Sequence, residues 1–262
     1  MKFEKIIDGI SNISEYIWQR GWSERNAGNI SVNLSNLNEG FETLPGKIPL
    51  SDCYGNLGGK YFLITVAGSR MRDIHHNPLE NIMVIKISDD GKSYSKTVYG
   101  GKNREKEEPT SELATHLAVH SLIMEKGGNE RVVLHAHVTE LIALTQIKEF
   151  CDEERLNLLL WSMHPETVMF VPGGVGFVTY TTPGTGAIAR KTVKALQKHK
   201  VALWEKHGVF AIGETVQETF DIIDILAKSA KIFFQVKSAG YSPEGINARE
   251  IEVLKASNRE VR

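Results

Sequence analysis

One short apolar segment limits the possible fold and function of this chain more than any other. It has the sequence RVVLHAHV at residues 131–138. Its β-branched residues and the absence of a helix breaker predict a buried β-strand. Successive side chains of a strand point to opposite faces, so His135 and His137 share one face with their Cα atoms about 6.5–7 Å apart. Two imidazoles at that spacing can converge on one metal ion, with Zn–N bonds of about 2.0–2.1 Å.

This strand alone leaves two explanations open. A histidine on a buried strand is often a hydrogen-bonded core residue, whereas two on the same face each need a partner once they are desolvated. A third histidine, His207, lies in a turn between predicted strands at 201–204 and 209–212 and is followed by Gly208, which allows close approach. By itself His207 is typical of a surface turn. Beside a histidine pair it predicts the third ligand of a site that keeps one coordination position open, as catalytic zinc sites do.

A second candidate feature is the sequence PTSEL at residues 109–113, which is typical of a helix start. Thr110 or Ser111 can cap the helix, and Glu112 in the first turn suits the helix dipole. The same positions also fit a function, because a helix N-terminus with hydroxyl groups binds phosphate. Glu112 could then act as a base on a metal-polarised substrate.

The predicted helix at 111–125 carries one polar stripe on an otherwise apolar surface. Glu112, His116 and His120 form this stripe at intervals of four residues. His116 and His120 are spaced as a ligand pair could be, but the strand already supplies two ligands. We therefore expect them to be hydrogen-bonded residues behind the metal site.

Two glycine-containing loops precede or follow predicted strands. One contains Asn26, Gly28 and Asn29, and the other contains Gly68 and Ser69. Each alone is typical of an ordinary turn. Together with the 110–112 helix start they predict a phosphate site built from amides and hydroxyls. The chain contains no Walker A, Rossmann glycine or Gly-x-Ser-x-Gly pattern.

Composition excludes several classes of protein. A formal net charge of −1 gives no electrostatic basis for binding nucleic acid or an anionic membrane. No apolar run approaches the ~20 residues of a membrane span, and the charged N-terminus does not suit a signal peptide. Cys53 and Cys151 have no metal-like spacing, which predicts free thiols and a cytoplasmic location. We find no linker or repeat, so residues 1–262 are predicted to form one domain.

The pattern of elements predicts an α/β protein. Strands are expected at 30–35, 61–66, 81–87, 93–99, 131–138, 167–171, 176–180, 201–204 and 209–212, with a long surface excursion at 36–60 that contains at most one short strand. Helices are expected at 3–20, 111–125, 139–148, 153–161, 188–198 and 215–238, and a short one after residue 247. Because tight turns join most neighbouring strands, the sheet should be largely antiparallel, with helices on its faces.

Four motifs in this order resemble the class II, zinc-dependent sugar-phosphate aldolases. They are ERNAGN at 24–29, PTSEL at 109–113, HAH at 135–137 and KHGVF at 206–210. The resemblance covers essentially the whole chain. It is strongest to members that cleave L-rhamnulose 1-phosphate, because shorter fuculose-type members lack the 36–60 excursion.

The resemblance implies a three-layer α/β/α fold with a mixed, mostly antiparallel sheet, and a C4 homotetramer with its sites at subunit borders. It implies that His135, His137 and His207 bind zinc, one ion per subunit, and that Glu112 is the acid/base. Glu166 would reach the site of a neighbouring subunit. Asn26, Asn29, Gly68 and Ser111 would hold the substrate phosphate. One departure from the pattern is Ala67, which stands where a phosphate-binding serine is expected and which Ser69 would have to replace.

Related enzymes with this fold are alternatives. Besides fuculose- and ribulose-phosphate aldolases, they include pentulose-phosphate 4-epimerases, which place an Asp near the position of Glu112, and methylthioribulose-phosphate dehydratases, which keep a Glu. A non-enzymatic, adducin-like module would lack the zinc ligands, so the intact histidine set argues against it.

Overall fold

A computed structural model of the chain describes residues 2–37, 40–98 and 105–260. The strands in these ranges are β1 Asn29–Asn33, β2 Glu42–Thr43, β3 Ile48–Pro49, β4 Tyr61–Thr65, β5 Ile82–Ile87, β6 Ser93–Val98, β7 Val132–Ala136, β8 Val175–Val178, β9 Val201–Trp204 and β10 Gly208–Gly213. The α-helices are α1 Phe3–Gln19, α2 Met71–His76, α3 Pro78–Asn81, α4 Leu113–Lys126, α5 Thr139–Leu144, α6 Glu153–Met163, α7 Pro165–Phe170, α8 Gly186–Leu196, α9 Val216–Ser238 and α10 Ala248–Glu260.

The described strands form one sheet in the order β2-β6-β5-β4-β1-β7-β10-β9-β8, with β3 pairing to β6. The β8–β9 pair is parallel and the other pairs are antiparallel. This confirms the prediction of a mixed, mostly antiparallel sheet. The four strands β4, β1, β7 and β10 lie side by side at its centre.

Helices cover both faces of the sheet, as the alternation of side chains along β7 illustrates. Leu134 and Ala136 belong to the larger core, which they share with α1, α5, α6 and α9. Val133 points to the opposite face and packs in a second core with residues of α4 and α8. His135 alternates in the same sense as Val133, so it lies on the α4 face of the sheet.

Residues 167–171 differ from the strand that their sequence pattern predicts. The structure has α7, a short helix over Pro165–Phe170. Pro165 occupies the first helical turn, where its fixed φ is favourable, and Thr167 hydrogen-bonds to Ser229 of α9 at 2.7 Å. Tertiary contacts and the proline thus outweigh the strand preference of the β-branched residues.

Other differences are smaller. The 36–60 excursion contains two strands of two residues and a 3-10 turn over Gly55–Leu57, and the predicted helix at 139–148 ends at Leu144. Helices α2 and α3 were not predicted from the sequence. The predicted hairpin at 81–87 and 93–99 is present as β5 and β6, and its last residue, Tyr99, lies outside the described residues.

Two further observations concern membrane-spanning helices and the cysteine residues. Among the described residues, no helix combines the length and apolar character needed to cross a membrane. Cys53 and Cys151 are both free thiols, as predicted.

Candidate active site

Three histidines from two distant parts of the sequence meet at one end of the central strands. His135 is the fourth residue of β7, His137 follows directly after this strand, and His207 lies in the turn before β10. The β7–β10 pairing places Val209 opposite Ala136, so the β10 turn reaches the end of β7. One potential ligand atom from each imidazole lies within 4.8 Å of the others. We call these three residues the histidine cluster.

Hydrogen bonds orient two of the three rings. The Nδ1 atom of His135 donates to the carbonyl oxygen of Val209 at 2.8 Å. The Nδ1 atom of His137 donates to Oε1 of Glu24 at 2.7 Å. Because Nδ1 carries the proton in each ring, the opposite nitrogen, Nε2, keeps an unused lone pair. Histidines that bind metals have this arrangement.

The cluster has the chemistry that a divalent transition metal requires. Nε2 of His135 and Nδ1 of His207 are buried without a hydrogen-bond partner in the described structure. Burial lowers the pKa of His135 to about 3 and that of His207 to about 4, so both imidazoles are neutral near pH 7. Neutral imidazoles with unused buried nitrogens fit a metal ion, and these three residues could hold one.

Glu112 lies beside the histidine cluster at the N-terminus of α4. It is buried, and its Oε2 atom is 3.6 Å from Nε2 of His135. The same Oε2 atom accepts a hydrogen bond from Nδ2 of Asn29 at 2.8 Å. Burial raises the pKa of the Glu112 carboxyl, and the bond from Asn29 opposes this shift. A carboxyl group with a raised pKa next to a metal-type site is suited to exchange protons with a bound molecule.

A pocket of about 200 Å³ connects these groups to the predicted phosphate-binding residues. Asn26, Asn29, Gly68 and Ser111 all line it, together with Ala27, Gly28, Thr65, Val66, Ala67, Ser69, Thr110, Glu112, His135, His137 and His207. Of these described lining residues, none is a lysine or an arginine. A phosphate here would depend on amides, hydroxyls and backbone N–H groups.

Two glycines in the pocket wall have backbone conformations that favour glycine. The φ angle is +80° at Gly28 and +82° at Gly68. A Cβ atom on Gly28 would also lie 3.0 Å from the carbonyl oxygen of His135. The loop containing Gly28 therefore passes directly over the end of β7.

Ser69 lines the pocket next to Ala67, but its hydroxyl group already has an acceptor. Its Oγ atom donates to the carbonyl oxygen of Asn81 at 3.3 Å. To donate to a phosphate in place of the missing Ala67 hydroxyl, Ser69 would have to give up this bond.

Glu166 does not line this pocket. It lies in the first turn of α7, exposed, with Oε2 2.9 Å from Nε2 of His164. A role of Glu166 at the site of another subunit stays a prediction.

Two polar residues close to the site had no role in the sequence analysis. Glu24 orients His137, and its position two residues before Asn26 in the ERNAGN motif was the available signal. Ser31 hydrogen-bonds to both His116 and His120, and its alternation with Asn29 along β1 could have identified it. Both histidines are hydrogen-bonded, as expected from their position on α4.

A larger groove of about 810 Å³ lies elsewhere, between the end of α4 and the first half of α9. Its lining combines basic residues such as Lys126 and Lys200 with the acidic Asp221 and the apolar Phe170. No residue of the histidine cluster lines this groove. Among the described residues, the smaller pocket is therefore the candidate active site.

Comparisons with known proteins identify the family of this chain. The family model described as "Class II Aldolase and Adducin N-terminal domain" matches residues 8–234. The rhamnulose-1-phosphate aldolase of Bacteroides thetaiotaomicron is 37% identical over 256 residues, which cover 95% of this chain and 93% of that protein. The enzyme of the same name from Yersinia pseudotuberculosis is 34% identical over 95% of this chain and 92% of its own length.

Solved structures show the same relationship. A sugar-phosphate aldolase from Thermotoga maritima superimposes with a TM-score of 0.79 at 34% identity, covering 92% of this chain and 99% of that one. The L-fuculose-1-phosphate aldolase of Thermus thermophilus has the same fold, with a TM-score of 0.60 at 20% identity over 92% of this chain and 98% of that one. The chain therefore belongs to the class II aldolase and adducin N-terminal domain family, and within that family to the aldolases.

Proposed function

We propose that this protein is a zinc-dependent aldolase that reversibly cleaves L-rhamnulose 1-phosphate into dihydroxyacetone phosphate and L-lactaldehyde, in the cytoplasmic breakdown of rhamnose. The observation that carries the proposal is the buried carboxyl of Glu112, 3.6 Å from His135 in a cluster of three imidazoles. The names of the two relatives that are 34–37% identical over 95% of the chain support this substrate.

His135, His137 and His207 would hold the zinc ion. When bound, zinc supplies a Lewis acid for the negative charge that develops on substrate oxygens during carbon–carbon cleavage. Val209 and Glu24 fix the orientation of two of these rings, so little rearrangement of the site is required.

Glu112 would be the acid/base. Cleavage of the C3–C4 bond leaves an electron pair on C3, next to the C2 carbonyl, and Glu112 gives a proton to C3. In the synthetic direction Glu112 removes that proton. The charge is stabilised without a covalent lysine adduct, so treatment with borohydride and substrate should not inactivate the enzyme.

The phosphate group would be held by Asn26, Asn29, Gly68 and Ser111. Their common pocket without lysine or arginine supports binding through hydrogen-bond donors at the start of α4 and in two loops. This arrangement fixes the distance between the phosphate and the carbon atoms beside the histidine cluster.

Glu166 would complete the site of a neighbouring subunit in a homotetramer, where it would transfer the proton of the aldehyde oxygen. The exposed apolar residues Met169 and Phe170 on the same short helix support a subunit contact at this position. Glu166→Gln should lower turnover and leave the zinc content unchanged.

The decisive experiment measures aldol cleavage of the 1-phosphates of L-rhamnulose and L-fuculose and of ribulose phosphate, with and without a chelator. We expect preferential cleavage of rhamnulose 1-phosphate, loss of activity with the chelator and recovery with zinc. Products of epimerisation or dehydration would instead identify one of the related enzymes. A protein that binds no zinc and cleaves none of these substrates would refute the proposal and favour the adducin-like alternative.

Glu112→Gln tests the acid/base directly. The variant keeps the side-chain shape but cannot exchange a proton, so turnover should fall roughly 10²–10⁴-fold with zinc still bound. Glu149→Gln, on an exposed 3-10 turn, is the matched control. Near-normal turnover by Glu112→Gln with a full zinc content would show that another group transfers the proton.

A further inference from the structure

Helix α4 and strand β1 place two sets of polar side chains in register. Glu112, His116 and His120 recur every four residues, which is about 6 Å along a helix. Asn29 and Ser31 are two residues apart on β1, about 6.6–6.8 Å along a strand. Because the two repeats nearly match, each strand residue can lie between two successive helix residues.

The side chains form a continuous hydrogen-bonded chain in this register. Asn29 Nδ2 donates to Glu112 Oε2 at 2.8 Å, and Asn29 Oδ1 forms a short hydrogen bond with His116 Nε2. Ser31 Oγ lies 2.7 Å from His116 Nδ1 and 2.8 Å from His120 Nε2. All five residues are buried, and His116 and His120 are at most 1% exposed. We call these five residues the hydrogen-bond chain.

The donor and acceptor properties of each group determine which atom donates in each bond of the hydrogen-bond chain. The Asn29 amide nitrogen is a donor, so its oxygen is left to accept from His116 Nε2–H. Burial places the pKa of His116 well below its usual range and lowers that of His120 to about 3, so each ring is neutral and carries one proton. His116 Nδ1 must then accept from Ser31, and Ser31 Oγ must accept from His120 Nε2–H.

The far end of the hydrogen-bond chain agrees with this direction. If His120 carries its proton on Nε2, its Nδ1 atom is an acceptor only, and that atom is buried without a partner in the described structure. Every donor thus points toward Glu112, and aligned hydrogen bonds of this kind polarise one another.

We propose that His116, Ser31 and His120 are positioning residues that hold the Asn29 amide in the orientation needed to direct its N–H at the Glu112 carboxylate. The inference rests on the proposed acid/base function of Glu112. Without the donor on His116, the Asn29 side chain is free to turn its oxygen toward Glu112. Two facing acceptors repel, and the carboxylate would leave its position beside the substrate carbon.

Ser31→Ala is the first test because it breaks the hydrogen-bond chain without touching Asn29 or Glu112. Ser229→Ala is the matched control, since Ser229 is equally buried and bonds to Thr167 at 2.7 Å far from the pocket. Both variants should lose similar thermal stability. Only Ser31→Ala should lose kcat, by roughly 10-fold or more, with unchanged KM and zinc content.

The proton-transfer step can be measured without the aldehyde. An enzyme with Glu112 in position should exchange a C3 hydrogen of dihydroxyacetone phosphate for solvent deuterium, which NMR detects. Ser31→Ala should slow this exchange by the same factor as kcat. Equal kcat values for the two serine variants, or a loss of zinc from Ser31→Ala, would overturn the proposal, since the first indicates a structural role and the second a role in metal binding.

Substitutions of His116 separate hydrogen bonding from packing. Gln can donate to Asn29 and accept from Ser31, whereas Leu can do neither. We expect kcat to fall roughly 10- to 100-fold in His116→Leu and to be largely retained in His116→Gln. Equal losses in both variants would refute a positioning role. If His116→Leu fails to fold, the serine pair still decides the question.

A spectroscopic measurement is independent of the substrate. In protein labelled with ¹⁵N-histidine, both His116 and His120 should carry their proton on Nε2 with Nδ1 unprotonated. A proton on Nδ1 of His116 would reverse the direction of the hydrogen-bond chain and overturn the inference. Failure to cleave any sugar phosphate would instead refute the proposed function and leave this result unaffected.

Discussion

Substitution of Gly208 by alanine tests how closely β7 and β10 must approach to form the histidine cluster. A Cβ atom on Gly208 would lie 2.5 Å from the carbonyl oxygen of Ala136 and 3.2 Å from Cε1 of His135. Because an ordinary contact is at least about 3.4 Å, the strands would have to separate by close to 1 Å at this point. Both contacts are with residues at the end of β7, where neither strand can move without moving an imidazole.

The structural cost follows from this displacement. Overpacking of this kind costs about 1–3 kcal/mol of the free energy of unfolding. For a chain of this size each kcal/mol lowers the melting temperature by roughly 2–4 °C. The displacement would also stretch the 2.8 Å bond from His135 Nδ1 to the Val209 carbonyl beyond hydrogen-bond distance. Loss of that orienting bond should weaken zinc affinity roughly 10- to 100-fold.

Zinc affinity can be measured by competition with a chromophoric chelator, and stability by thermal unfolding of the metal-free protein. Gly55→Ala is the matched control, because a Cβ atom on Gly55 meets nothing within 4 Å and the residue has no positive φ. Wild-type zinc affinity and melting temperature in Gly208→Ala would refute the reasoning. They would show that the turn adjusts without separating the strands.

Three further predictions follow from single contacts. Glu24→Gln removes the charged acceptor of His137, and zinc affinity in the same competition assay should fall roughly 10- to 100-fold; unchanged affinity would show that the bond does not orient the ligand. Gly28→Ala forces a φ of +80° on alanine and should raise KM and lower the melting temperature; a variant with wild-type values for both would contradict the need for glycine. Burial lowers the pKa of His120 to about 3, below about 6.5 in the unfolded chain, so the unfolded chain binds the proton first. As the pH drops below 6.5, the free energy of unfolding should therefore decrease, by up to about 1.4 kcal/mol per pH unit. Urea unfolding of His120→Gln should show a smaller pH dependence than that of the wild type. An equal pH dependence would show that other groups cause it.

Regular periodicity made much of the fold and the arrangement of the candidate site predictable from sequence. The two-residue repeat of a strand placed His135 and His137 on one face, and the four-residue repeat of a helix placed Glu112, His116 and His120 in one stripe. Both patterns depend only on local backbone geometry, which a single sequence specifies. His207 could be predicted for a different reason. A histidine pair on a strand lacks a third metal ligand, and a histidine in a turn between two predicted strands could supply it.

The contacts that cross between elements were not predictable in this way. The bond between Glu24 and His137 and the two bonds of Ser31 depend on the register of β1 against β7 and α4. No local pattern specifies that register. The wrong prediction of a strand at 167–171 has the same origin, because the contact between Thr167 and Ser229 joins residues distant in sequence.

The order of the central strands also bears on how a substrate would lie in the proposed site. Gly68 follows β4, Asn29 begins β1, and the histidine cluster lies at the ends of β7 and β10. Adjacent strands are about 4.8 Å apart, so the pocket runs across the sheet from the phosphate-binding loops to the histidine cluster over about 10–14 Å. In the proposed function, a ketose 1-phosphate would lie along this line with its aldehyde half at the end that contains the histidine cluster. If Glu166 of a neighbouring subunit reaches that end, as proposed, it would add a second carboxylate for proton transfer that the described lining of the pocket within one subunit does not supply.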